Sequence, residues 1–224
     1  MKAMVALYLL ALHLVLGVAL LKPGALARVW LGQSEQVRFI VEMRHIHGRT
    51  DPLVPAGAVI FLGDSITQFL PVSAIAPLSV NYGISGQRSD QLLESMDRYA
   101  SMARASAVVV MIGTNDLYQG REQGLEARYR AILAKVPAGV PVVLSGIPPM
   151  AGKDVRPLVG AARSACQADV RCRFVDAAVT PDMLTDGVHL SARGYAAWVA
   201  ALRASGHIAA DLRLQPSRLS RDSW

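Results

Sequence analysis

Ala58-Val59-Ile60-Phe61-Leu62, followed at once by Gly63-Asp64-Ser65, decides the fold of this chain. Five apolar residues without polar alternation suit a strand buried on both faces, as in a parallel sheet covered by helices. The glycine then permits a tight turn, and polar groups follow at the end of the strand. Residues 107–112 repeat the pattern and run into Gly113-Thr114-Asn115-Asp116. Residues 140–144 form another continuous apolar run, stopped by Ile147-Pro148-Pro149, while 78–82 and 173–175 are weaker strands. Helical periodicity fills the gaps: 89–102 behind a Ser89 cap, 121–135, 157–167, and a last helix from a Ser191 cap through Ala204. Strand–helix alternation of this kind predicts an α/β fold, a parallel sheet of about five strands with helices on both faces. There is no internal repeat and no low-complexity tract.

Outward from this region the chain changes character. Between Ala3 and Leu21 nothing is charged, Lys2 precedes the run, and Ala25-Leu26-Ala27 has the form of a signal-peptidase site. This predicts an N-terminal apolar helix over 1–27, either a cleaved signal or a retained anchor. The run exceeds the roughly 7–15 residues of a signal's apolar region, which favours retention. Lys22, Arg28 and Arg38 follow it where only Lys2 precedes it, so a positive-inside count opposes export. A two-residue head that inserts head-in favours export, with the following domain periplasmic or otherwise outside the cytoplasm, tethered to the membrane. Residues 28–57 read as a connection: a helix from a Ser34 cap to about Ile46, then a loop over 48–57. Residues 58–206 form the main domain and 207–224 a basic tail.

The 224 residues suffice for one domain with an appendage, and at 52% hydrophobic and 18% charged the chain can bury a sizeable core. The net charge of +6 comes from scattered arginines without a basic run or aromatic interleaving, which speaks against a nucleic-acid partner. Cys166 and Cys172 are too far apart for a C-x-x-C redox motif. They suit a local disulfide in an exported domain, or else two unpaired thiols. His45-Ile46-His47 could bind a metal, but no acidic or cysteine partner is near, so an exposed helix end is the better reading. No metal and no cofactor is called for.

Ligands of open parallel sheets bind beyond the carboxyl ends of the strands. Four polar, glycine-rich turns converge there: Gly63-Asp64-Ser65, Asn81-Tyr82-Gly83-Ile84-Ser85-Gly86, Gly113-Thr114-Asn115-Asp116 and Asp186-Gly187-Val188-His189. Together they offer a nucleophile, amide donors, a carboxylate and an imidazole, the groups that acyl transfer needs. Ser65 alone reads better as a helix cap. His189 stands three residues from Asp186, near enough for one turn to bring carboxylate to imidazole, though a surface contact has the same spacing. The Asn115 side chain and the Gly86 N–H could each donate to an oxyanion, or could be ordinary turn residues. Asp116 and Asp176 read as structural.

In order and placement these four turns resemble the sequence blocks of the SGNH, or GDSL-type, serine hydrolase superfamily, over about residues 59–198. The resemblance implies a flavodoxin-like three-layer α/β/α sandwich and hydrolysis of carboxylic esters through an acyl-serine. It implies Ser65 as nucleophile, His189 as base and Asp186 as its orienting carboxylate. It also implies an oxyanion hole from the N–H groups of Ser65 and Gly86 and the Asn115 side chain. Gln87 departs from the aspartate common at that place in relatives, which leaves the hydrogen bonding of its loop open. The substrate class implied spans small acyl esters, acetyl sugars and lysophospholipids, with loops 69–77, 117–120 and 148–156 around the acyl group. Transfer to an alcohol, or a retired site on a membrane-attached envelope protein, are the competing readings. G-x-S-x-G, H-E-x-x-H, S-x-x-K and nucleotide-binding glycine motifs do not occur.

Overall fold

The computed structural model describes residues 2–21, 25–206 and 208, with side chains described at 4–13, at 16 and from 35 onward. The chain forms two compact units, Met1–Glu42 and Met43–Trp224. The first contains α1 (Lys2–Leu21) and most of α2 (Ala25–Thr50). The helix expected to start at a Ser34 cap is therefore longer: α2 runs through that serine, because the Ala- and Leu-containing stretch before it is itself helix-forming. Met4, Leu7, Tyr8 and Leu10 of α1 are exposed. Among the described residues no helix is long and apolar enough to cross a membrane, so the expected N-terminal tether has no support in the fold. The expected tail, 207–224, lies outside the described residues except for the buried Ile208.

The second unit contains β1 (Val59–Gly63), α3 (Ser65–Gln68), β2 (Ser79–Gly83), α4 (Ser89–Met96), β3 (Ala107–Met111), α5 (Thr114–Tyr118), α6 (Leu125–Lys135), β4 (Val142–Ser145), α7 (Arg156–Gln167), β5 (Cys172–Val175) and α8 (Ala192–Ala204). The strands form one parallel sheet in the order β2-β1-β3-β4-β5. Every residue of β1, β3 and β4 is buried, which is why these segments carry no polar alternation. Helices flank the sheet: α4, α6 and α7 pack side by side, and α8 is pinned by Trp198, whose indole N–H donates to Ser145 Oγ at 3.0 Å.

The order reverses between β1 and β3. From β1 the chain crosses to β2 on one side, then returns to β3 on the other. At such a switch point the loops diverge and leave a crevice at the carboxyl edge. Gly63 ends β1 in register with Gly83 of β2 and Met111 of β3, so the turns after these strands start side by side. Both glycines are needed for closeness: a Cβ at Gly63 would stand 2.2 Å from Met111 O, and one at Gly83 2.4 Å from Gln68 N.

Two helices differ from expectation. The helix from Ser89 stops at Met96, and residues 100–104 form a short 3-10 turn instead. The buried Asp51 carboxylate takes the Ser101 N–H at 2.9 Å and its hydroxyl, a tertiary demand that the local pattern does not reveal. The helix expected from Arg121 starts at Leu125, because Gly124 adopts a left-handed conformation with φ +74°. His47 is not an exposed helix end. It is buried, 4.9 Å from the Tyr82 ring centre, and burial lowers its pKa to about 4. Among the described residues no group of His, Cys, Asp and Glu is arranged to hold a metal.

Candidate active site

Ser65 is the first residue of α3, directly after β1, and is 8% exposed. The cap of that helix is Asp64 rather than Ser65: its Oδ1 accepts the Ile66 N–H at 3.0 Å. The serine hydroxyl, spared from capping, lies 3.0 Å from His189 Nε2. His189 Nδ1 in turn lies 2.7 Å from Asp186 Oδ2. That carboxylate assigns the ring proton to Nδ1 and leaves Nε2 to accept from the serine.

The Asp186–His189 loop is folded by its own backbone. Asp186 Oδ1 accepts the N–H groups of Val188 (3.0 Å) and His189 (2.8 Å), while Gly187 turns the chain at φ +85°. Thr185 N–H donates to His189 O at 2.8 Å, and Leu184 bridges to Leu190, closing the loop at its base. These donors hold the Asp186 carboxyl far below the usual carboxylate range, the His189 N–H first among them. In its ionised form this carboxylate can stabilise an imidazolium.

The second and third turns follow β2 and β3, the strands on either side of β1. Gly86 has φ +75°, a conformation that favours glycine. Asn115 Nδ2 donates one hydrogen to Gln87 O at 3.0 Å. Its second hydrogen has no protein acceptor among the described residues. Gln87 itself, the departure noted in the sequence, is fully buried, and its Nε2 donates to Ser95 Oγ at 2.6 Å. Its side chain thus anchors the loop onto α4 while its carbonyl orients Asn115.

Asp116 joins the two turns: it accepts from Ser89 N (2.9 Å) and Ser89 Oγ (2.6 Å), with Arg128 at 3.5 Å. Burial nonetheless raises its pKa. Asp176 pairs on the surface with Arg163. Cys166 and Cys172 are joined in a disulfide between α7 and β5.

Three positioning groups escaped the sequence reading. Asn81 Nδ2 caps the carboxyl end of α3 through Thr67 O at 2.7 Å, and its Oδ1 accepts Gly83 N–H at 2.9 Å. Gln68 Oε1 accepts both the N–H and the hydroxyl of Ser85, at 2.6 and 2.7 Å. The third is Asp64, fully buried behind Ser65. Burial raises its pKa to about 7, with Asp116 adding to the rise; the Ile66 N–H, Thr114 and His189 oppose it. Thr114 is near enough to interact, yet neither its hydroxyl nor Asp64 Oδ2 makes a hydrogen bond of ordinary geometry. Its place between Gly63 and Ser65 was visible; a carboxyl sealed from water was not.

A doubly wound parallel sheet with a serine, an imidazole and a carboxylate in line at its switch point carries the groups that acyl transfer needs. Residues 61–197 match the sequence profile of the GDSL-like Lipase/Acylhydrolase family, and the chain belongs to that family. It is a carboxylic-ester hydrolase. No curated protein matches the chain in sequence.

Solved structures share the fold. One is a Streptococcus pneumonia protein described with the words "platelet activating factor", at 21% identity and TM-score 0.71, covering 80% of this chain and 97% of that one. A lipase/acylhydrolase from Enterococcus faecalis has 20% identity and TM-score 0.58, covering 69% and 98%. A catalytic mutant of an acetylxylan esterase from Geobacillus stearothermophilus has 20% identity and TM-score 0.52, covering 69% and 96%.

Proposed function

We propose that this protein hydrolyses carboxylic esters through a covalent acyl-serine formed on Ser65. The observation that carries the reading is the unbroken chain from Ser65 Oγ to His189 Nε2 at 3.0 Å and from His189 Nδ1 to Asp186 Oδ2 at 2.7 Å. A serine hydroxyl is a poor nucleophile until a base takes its proton, and His189 is placed to do so. As Oγ bonds to the ester carbonyl carbon, its proton passes to Nε2, and the Asp186 carboxylate stabilises the resulting imidazolium. The carbonyl oxygen becomes an oxyanion, for which Ser65 N–H, Gly86 N–H and the second Asn115 hydrogen are the donors. Collapse of the tetrahedral intermediate breaks the bond to the alcohol, which leaves with the proton from His189. Water then attacks the acyl-serine by the same route, giving the carboxylic acid and free Ser65.

On this reading the enzyme works outside the cytoplasm. The Cys166–Cys172 disulfide supports that location, since such bonds persist in oxidising compartments. The test of the reaction is labelling by a fluorophosphonate, with the modified residue read by peptide mass spectrometry, alongside hydrolysis of p-nitrophenyl acetate. Label on Ser65 and Ser65-dependent hydrolysis are expected. Hydrolysis that persists in Ser65→Ala overturns the proposal.

A further inference from the structure

Beside the candidate site lies a groove of about 570 Å³, within the size range of sites for small organic ligands. Phe69 and Pro71, just after α3, form one wall. The other wall is α8, which presents Ala192, Ala196 and Ala200 at successive turns, with Arg203 at the far end. Of the loops 69–77, 117–120 and 148–156 only the first lines this groove, opposite the last helix.

Two contacts join the groove to the reacting groups. Phe69 follows Ser65 by one helical turn, its N–H donating to Ser65 O at 3.1 Å, and its ring stands edge-on to the His189 imidazole with centres 6.2 Å apart. Tyr195, on the α8 wall, donates its hydroxyl to Ile66 O at 3.1 Å, next to Ser65. The ring of Phe69 is 59% exposed, an apolar surface without core neighbours to bury it. A hydrophobic group entering from the ester carbonyl would cover it.

We propose that this groove is the acyl-chain site and that the preferred substrates are esters of medium-to-long fatty acids rather than acetyl esters. The proposal rests on the esterase reading above. From Ala192 to Arg203, α8 rises about 16 Å. An extended hydrocarbon advances about 1.25 Å per carbon, from a C–C bond of about 1.52 Å at a tetrahedral angle, so the groove spans about twelve carbons. The alanines leave room for the chain, and Val199 and Tyr195 supply apolar contact. At the far end the Arg203 guanidinium marks the return to water, where further methylenes gain nothing.

The test is the chain-length profile of kcat/KM on p-nitrophenyl esters from acetate to hexadecanoate, each kept monomeric in solution. Full burial of one methylene is worth about fourfold, and a groove open on one side about half that free energy, or about twofold per carbon. The profile should rise about 10²- to 10³-fold in all and level off near twelve carbons. Ala196 and Ala200 are both exposed, so tryptophan at either leaves the core intact. Ala196→Trp should lower the dodecanoate-to-acetate ratio at least tenfold, and Ala200→Trp should move the cut-off to a longer chain than Ala196→Trp does. A flat profile with Ser65-dependent acetate hydrolysis overturns the groove proposal alone. So does a rising profile that neither tryptophan alters. Failure to hydrolyse any of these esters overturns the esterase reading instead.

Discussion

Replacing Asp64 by asparagine takes an ionisable carboxyl out of the core directly behind Ser65 while keeping its shape. In the folded protein burial raises this carboxyl from the ordinary 3.8 to about 7. Between those two values the folded state holds a proton that the unfolded chain has released. Stability therefore falls as pH rises through this window, and the loss is complete above the folded value. A separation from 3.8 to about 7 is worth about 4 kcal/mol, at about 1.4 kcal/mol for each tenfold change in proton affinity. At pH 4 the same group costs under about 1 kcal/mol.

Asparagine keeps the acceptor for the Ile66 N–H, since it caps helices as well as aspartate does. It carries no charge at any of these pH values, and its amide can donate toward the Thr114 hydroxyl. Asp64→Asn should therefore match the parent protein closely at pH 4 and exceed it at pH 8, the gap widening by about 4 kcal/mol. Urea unfolding with the disulfide intact, read by circular dichroism at unit steps of pH, measures this directly. A gap that stays constant from pH 4 to pH 8 would refute the burial argument. A variant that loses its advantage as pH rises would refute the sign.

Ser65→Ala should abolish ester hydrolysis with little change in melting temperature, because the cap of α3 is Asp64; near-normal turnover would sink the assignment. Asn115→Ala should lower kcat by about 10²-fold with a smaller change in KM, the scale of one lost oxyanion donor, and a raised KM at constant kcat would make it a binding residue. His189→Ala should cost more activity than Asp186→Asn, in which the imidazole remains but loses its orienting charge. Equal, negligible effects of both would count against the triad. A reporter active only after export, fused beyond Gln33, should be active; activity of a cytoplasmic reporter at the same joint, with the first silent, reverses the topology.

The sheet was legible because its evidence is local. Uninterrupted apolar runs at 58–62, 107–112 and 140–144 are short for helices and suit strands covered on both faces, and glycine-polar turns after them mark the carboxyl edge. The spacing of Asp186 and His189 left a catalytic pair and a surface contact equally open; in the structure the two meet within one turn that their own backbone closes. Ser191 showed its cap in the sequence and fills it, accepting from Gly194 N–H.

The joining of Ser65 to His189 across 124 residues was settled only by tertiary structure. Gln68, Asn81 and Asp51 likewise take their meaning from distant partners, and no local period encodes those. Asp64 shows the limit most sharply. The sequence places a carboxylate in a tight turn at the active edge, where most carboxylates meet water. Packing of the sheet and α3 around it closes that access, and desolvation then decides which protonation state the fold prefers.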